Sequence, residues 1–229
     1  FRTLTWGQGS ETVLFLHGLT GVAEVWGPTV DHLPATRRYV AIDQRGHGQS
    51  AAPPAGYSAA EMVSDAASVI EQLGERVHLA GHSMGARIAL VLAARLPHLL
   101  RSVAIIDIGP EASKANIENT VRGIGTRPER FESRGEALEF AFRKRQSTPA
   151  DEVVFLARLS PHSDGSFTWR ASREALAACV TEQRSRSYWR EWRHIVEPAL
   201  YVHGGTSNEV PFRIAEKMRR ENPAVRFER

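Results

Sequence analysis

What this sequence lacks narrows it first. Cys179 is the only cysteine in 229 residues, so no intramolecular disulfide framework is available. No apolar run approaches the roughly 20 residues that span a bilayer, and no stretch reads as a secretory segment. We therefore expect a cytoplasmic protein with no membrane partner. No His/Cys/Asp/Glu cluster has metal-ligand spacing, so neither a metal nor another cofactor is expected. Charge of one sign is scarce as well, the formal net charge being +3. Basic residues alternate with acidic ones and carry no stacking motif, which argues against nucleic acid as a partner.

What remains is an ordinary globular composition, 42% apolar and 24% charged, which excludes disordered and fibrous classes. The length suits one large domain, or one domain with a sizeable insertion. The chain opens at Phe1 without a methionine and stops at Arg229 in what reads like a strand, Ala224-Val225-Arg226-Phe227, and we expect both ends to be clipped.

The small positive excess is unevenly placed. Residues 111–195 hold 15 Lys and Arg against 12 Asp and Glu, whereas the remainder holds 14 of each. A solvated, arginine-rich helical surface accounts for this. The sharper alternative is a cover that attracts acidic substrates through its field.

Periodicity divides the chain into two kinds of sequence. Apolar runs at 13–16, 39–42, 77–80 and 102–106 read as buried parallel strands. Helices are expected at 22–33, at about 58–73 behind the capping-box pair Ser58 and Glu61, and at 86–95, where Pro97 stops the pattern. Such alternation predicts an α/β fold, a mostly parallel sheet with helices on both faces. From 111 to 197 the pattern turns charged, aromatic and helical, with its clearest helices at 137–145, 153–159 and 173–193. Strand 199–202, helix 211–220 and strand 225–227 then resume the first pattern. We therefore expect a core of residues 1–110 and 198–229, and an all-helical lid of residues 111–197.

Ligands of such sheets bind beyond the carboxyl ends of the strands. Asp43, Ser83 and Asp107 each follow a strand run directly, so all three are expected on that edge. Gly81-His82-Ser83-Met84-Gly85 joins a strand to an Ala-rich helix and matches the G-x-S-x-G nucleophile elbow. In that turn Ser83 is the candidate nucleophile, and the amide of Met84 faces the oxygen of an attacked carbonyl. His17-Gly18-Leu19-Thr20-Gly21 follows the first strand and fits the loop that supplies a second oxyanion amide, assigned to Leu19. The His17 side chain is expected to order that loop.

Those motifs, with Asp43-Gln44-Arg45-Gly46-His47-Gly48-Gln49-Ser50 between them, resemble the α/β-hydrolase superfamily. The resemblance covers nearly the whole chain and is least specific over 111–197. It implies that Asp43 and His47 are scaffold. It places the catalytic acid of most members in the loop after strand 199–202, where this chain has Ser207. A minority of members carry the acid after the preceding strand, where this chain has Asp107. Asp107 is the expected acid, Glu209 the substitute, and Ser207 is expected to hydrogen-bond in the same network.

The superfamily's histidine base follows the last strand. None of the nine histidines stands there, so that histidine is expected beyond Arg229, and the 229 residues alone would be nearly inactive. Hydrolysis of a small carboxylic ester or related acyl bond through an acyl-enzyme is the leading expectation, with an acidic substrate suiting the cationic lid. The elbow, Gly81 to Arg87, also resembles that of the acetamidomethylene-succinate amidohydrolases. Amidase, enol-lactonase and carbon–carbon bond hydrolase therefore stay open beside the esterase. The serine argues against dehalogenases and epoxide hydrolases, which place an aspartate at the elbow. A binding module that has lost turnover is the alternative of another class. The oligomeric state is left open.

Overall fold

Short β-branched and apolar runs alternate with amphipathic stretches, and a computed structural model describes residues 1–143, 146–196, 198–205, 207 and 209–229 of the resulting fold. In chain order come β1 (Thr3–Trp6), β2 (Thr12–Leu16), α1 (Gly27–Val30), β3 (Arg38–Ile42), α2 (Ala59–Leu73), β4 (Val77–His82), α3 (Met84–Arg95) and β5 (Leu100–Ile106). The segment that follows contains α4 (Lys114–Gly125), β6 (Arg130–Phe131), α5 (Arg134–Phe142), α6 (Pro149–Leu156), β7 (Leu159–Pro161), β8 (Phe167–Trp169), α7 (Arg173–Arg184) and α8 (Trp189–Arg193). The chain then returns to the first layer with β9 (Ala199–Val202), α9 (Phe212–Glu221) and β10 (Arg226–Glu228).

Seven strands form one sheet in the order β1-β3-β2-β4-β5-β9-β10, parallel except for the antiparallel edge strand β1. Side chains alternate across it. Leu14, Leu16, Val40, Ile42, Leu79 and Ile105 face the helical layer of α2 and α3. Phe15, Tyr39, Ala41 and Ala80 face the opposite side, where Trp26 stacks on Phe15 at 4.6 Å. The expected fold class holds. β1 escaped sequence analysis because TLTW is a half-exposed edge strand with no buried run.

Several expected boundaries move for identifiable reasons. The helix expected at 22–33 is a 3₁₀ turn, Ala23–Trp26, followed by the four-residue α1, because Pro28 has no N–H to continue the ladder. The helix expected at 173–193 breaks between α7 and α8. There the Tyr188 amide donates to Pro110 O at 2.7 Å, and its hydroxyl donates to Gln183 O at 2.7 Å. The helix expected at 137–145 is α5, which begins earlier, at its N-cap Ser133; positions 144 and 145 lie outside the described residues.

The expectation of an unbroken helical block over 111–197 is corrected. Three strands in the order β6-β8-β7 form a small antiparallel sheet within it, and Leu159, expected to end a helix, lies in β7. Strands of two and three residues are too short to display alternation. Phe131, Phe155 and Leu159 form a separate core beneath them. Helices α4 and α7 pack through Ile124, Leu176 and Val180, and Leu19 of the first sheet's edge packs against them.

The turn after β4 is a tight junction. A Cβ on Gly81 would lie 2.3 Å from Gly85 O, and one on Gly85 would lie 2.3 Å from Leu16 O. Both obstacles are backbone, so neither gives way cheaply. Gly85→Ala should therefore force α3 away from β2, at a cost of roughly 3 kcal/mol for overpacking. A thermal melt should show Tm lowered by about 6–12 °C for a chain of this size; an unchanged melt would mean that the junction has slack.

Candidate active site

Register puts the ends of neighbouring strands level. His82 pairs with Ile106, Ile106 with Val202, and Val202 with Glu228. Ser83 and Asp107 are each one residue past such an end, on adjacent strands, and the Ser83 amide donates to Ile106 O at 2.9 Å. Among the described residues they are the only two non-glycine positions with positive φ, 51° for Ser83 and 53° for Asp107. Such conformations cost on the order of 1–3 kcal/mol each, and they persist where the surroundings enforce them, most often at functional sites. The close crossing of β4 and α3 enforces the first. The second is enforced by the hydrogen bond from the Asp107 amide to Val202 O, 2.9 Å, and by the bonds its carboxylate receives.

Asp107 Oδ1 accepts from the Gly204 amide at 3.0 Å, and Oδ2 accepts from Ser207 Oγ at 3.0 Å. Ser207 Oγ in turn accepts from the amides of Glu209 and Val210, each at 3.2 Å. Ser207 thus joins the network expected for it. Glu209 is engaged elsewhere: its carboxylate accepts from Arg184 Nη1 at 3.2 Å.

The loop after β2 is held against the elbow from below. The Gly85 amide donates to His17 O at 3.2 Å, and Gly21 N to Gly18 O at 2.8 Å. His17 is fully buried. Its Nε2 accepts from Gln44 N at 3.1 Å, so Nδ1 carries the proton and donates to Gly18 O at 2.8 Å. Burial, reinforced by His47, holds its pKa well below the ordinary histidine range. With both nitrogens occupied, the ring orders the loop. His47 Nε2 is hydrogen-bonded to the carbonyl of Leu19 and so orients that peptide. Asp43 accepts from Ala23 N at 2.7 Å and Gln49 N at 2.9 Å, which places it in the scaffold. Among the described residues, the amides of Leu19 and Met84 have no intramolecular acceptor.

A cavity of about 450 Å³ opens over Ser83, bounded also by Leu19, Trp26, His82, Arg158, Arg184 and Glu209. Ser83 Oγ makes no hydrogen bond to the described residues. Of the nine histidines only His82 borders this cavity. Burial lowers its pKa, against the raising influence of Asp107 and Glu209. His203 is spent on Val210 O at 2.9 Å, and His78 on Ser102 Oγ at 2.7 Å. Arg158 and Arg184 escaped sequence analysis, since nothing local separates them from the other cations of 111–195; only packing turns them inward. Among the described residues, no helix is long and apolar enough to cross a membrane.

Comparison with known proteins agrees with this geometry. The model of the alpha/beta hydrolase family matches residues 13–228. A 2-(acetamidomethylene)succinate hydrolase from Mesorhizobium japonicum is 31% identical over 214 residues, 92% of this chain and 76% of that protein. The crystal structure of an E-2-(acetamidomethylene)succinate hydrolase superposes with a TM-score of 0.89 at 28% identity, covering 99% of this chain and 84% of that one. An enol-lactonase from Burkholderia xenovorans LB400 shares the fold, with a TM-score of 0.77 at 19% identity over 99% of this chain and 86% of its own. A strained serine on an elbow, a level row of strand ends and a family match over nearly the whole length lead to one assignment: the chain belongs to the alpha/beta hydrolase family, a family of hydrolytic enzymes.

Proposed function

We propose that the protein is a serine hydrolase that cleaves carboxylic esters or related acyl bonds through an acyl-enzyme on Ser83. One observation carries this reading: the only two strained non-glycine residues among those described are a cavity-facing serine and an aspartate one strand away. Ser83 Oγ attacks the substrate carbonyl, and the Leu19 and Met84 amides hold the oxyanion. Such donors contribute on the order of 10²–10³ each in rate. Collapse of the tetrahedral adduct expels the alcohol, and water then releases the acid and restores the serine. Asp107 orients the histidine that moves the protons. A histidine in a loop after β10 would stand level with the ends of β5 and β9. Residues 111–197 serve as the lid, contributing Arg158 and Arg184 to the cavity wall.

A second reading, hydrolysis of an amide of a small carboxylate, is favoured by the likeness to 2-(acetamidomethylene)succinate hydrolase along 92% of the chain. Both readings use the same serine. Treating the full-length protein with a fluorophosphonate and sequencing the labelled peptide by mass spectrometry should place the adduct on Ser83. No labelling would favour the non-catalytic module, and labelling elsewhere would remove Ser83 as the nucleophile. Parallel assays with p-nitrophenyl esters and with anionic amides separate the two hydrolytic readings.

A further inference from the structure

A second cavity, of about 430 Å³, adjoins the one over Ser83. The two share Leu19, Thr20, Thr120 and Arg158 as lining residues, so Arg158 stands at their junction. Its guanidinium is largely buried, its Nε has no hydrogen-bond partner, and no carboxylate among the described residues answers its charge. Its charge also acts on the buried His17, in the loop that borders the first cavity. A desolvated, unanswered cation is costly. A ligand carboxylate relieves that cost, and the planar guanidinium fork favours it geometrically.

The second cavity has a different chemistry. Four aromatic rings line it: Phe140, Phe142, Phe155 and Trp169. They meet edge-on, Phe155 with Trp169 at 5.8 Å and 88°, and Phe142 with Phe155 at 5.9 Å and 69°. The two other charged groups there have partners of their own. Arg127 donates to Ala171 O and lies 4.7 Å over the Trp169 ring, though its Nε, like that of Arg158, has no partner among the described residues, and the Asp151 carboxylate accepts from Thr148 N at 3.0 Å. The four rings favour a flat, uncharged group in the box.

We propose that the acyl part of the substrate carries both a carboxylate held by Arg158 and an aryl group seated among Phe140, Phe142, Phe155 and Trp169. This deepens the serine-hydrolase reading and rests on it for the word substrate. The bound ligand spans both cavities, and its carbonyl carbon lies over Ser83. A small dicarboxylate without the arm leaves the aromatic box empty.

Binding of phenylsuccinate, succinate and 3-phenylpropionamide to Ser83→Ala, followed by calorimetry, tests the proposal without requiring turnover. Phenylsuccinate should bind about 10–100-fold more tightly than succinate, from burial of the ring. Arg158→Gln in the same background should weaken phenylsuccinate by about 10–100-fold, from loss of charge-assisted bonds, and leave 3-phenylpropionamide unchanged. Phe140→Leu should reverse part of the preference for phenylsuccinate, and melts of each variant verify folding. Equal affinity for phenylsuccinate and succinate would overturn the proposal, as would an equal effect of Arg158→Gln on the anionic and neutral ligands. Turnover of the mono-p-nitrophenyl ester of phenylsuccinate by the unaltered full-length protein then tests Ser83 chemistry separately, so the two readings fail independently.

Discussion

In the full-length protein Ser83→Ala is expected to lower kcat/KM for a p-nitrophenyl ester by about 10⁶-fold, the loss seen when the nucleophile of such a constellation is removed. The residue is suited to a clean test. Its hydroxyl makes no hydrogen bond to the described residues, so alanine removes no structural contact. Its φ of 51° is imposed by the crossing of β4 and α3, and alanine inherits the same strain. The melt should therefore stay within about 0.5 kcal/mol of the parent stability, as for substitutions away from packing features. What survives is the part of the acceleration supplied by the oxyanion amides and by binding, about 10³–10⁴ over water. A variant that folds and still turns over esters at the parent rate would remove Ser83 from the mechanism.

Asp107→Asn is expected to cost about 10⁴ in kcat, because a neutral amide neither selects the histidine tautomer nor balances the imidazolium. Asparagine can still accept from Gly204 N through its oxygen, but its nitrogen cannot replace the acceptor of the Ser207 hydroxyl, whose Oγ already accepts from Glu209 N and Val210 N, so a melt should accompany the kinetics. Loss of a negative neighbour lowers the pKa of the histidine, so the acidic limb of the pH–rate profile moves to lower pH. Glu209→Gln provides the contrast. Its carboxylate is held by Arg184, and its loss should change kcat/KM less than about tenfold, in the range of a partly exposed ion pair. A large loss in Glu209→Gln with activity retained in Asp107→Asn would exchange the two roles.

Much of the fold could be read before any coordinates. Four strand runs, the elbow and the capping box at Ser58 are local patterns, and they reappear as β2, β3, β4, β5, the turn at Ser83 and the N-terminus of α2. Elements set by non-local contacts were less legible. β1 exists because it lies along β3, and β6, β7 and β8 because they cover the aromatic core of Phe131 and Phe155. Glu209 stayed a competitor to Asp107 while only the chain order was known. The hydrogen bonds of Asp107 to Gly204 and Ser207, and of Glu209 to Arg184, support Asp107 as the proposed acid.

By itself the sequence determined which residues could react and on which edge of the sheet they stand. A strand end, a tight glycine-framed turn and a carboxylate after the next strand are all written within a few residues of one another. Tertiary structure alone decided which cations face inward. Arg158 is one of 29 Lys and Arg residues, unmarked by its neighbours. Only the packing of the 111–197 segment over Leu19 and Ser83 leaves it desolvated, without a carboxylate partner among the described residues, and at the meeting point of two cavities. Desolvation is a property of what surrounds a charge, and those surroundings are brought together from distant parts of the chain.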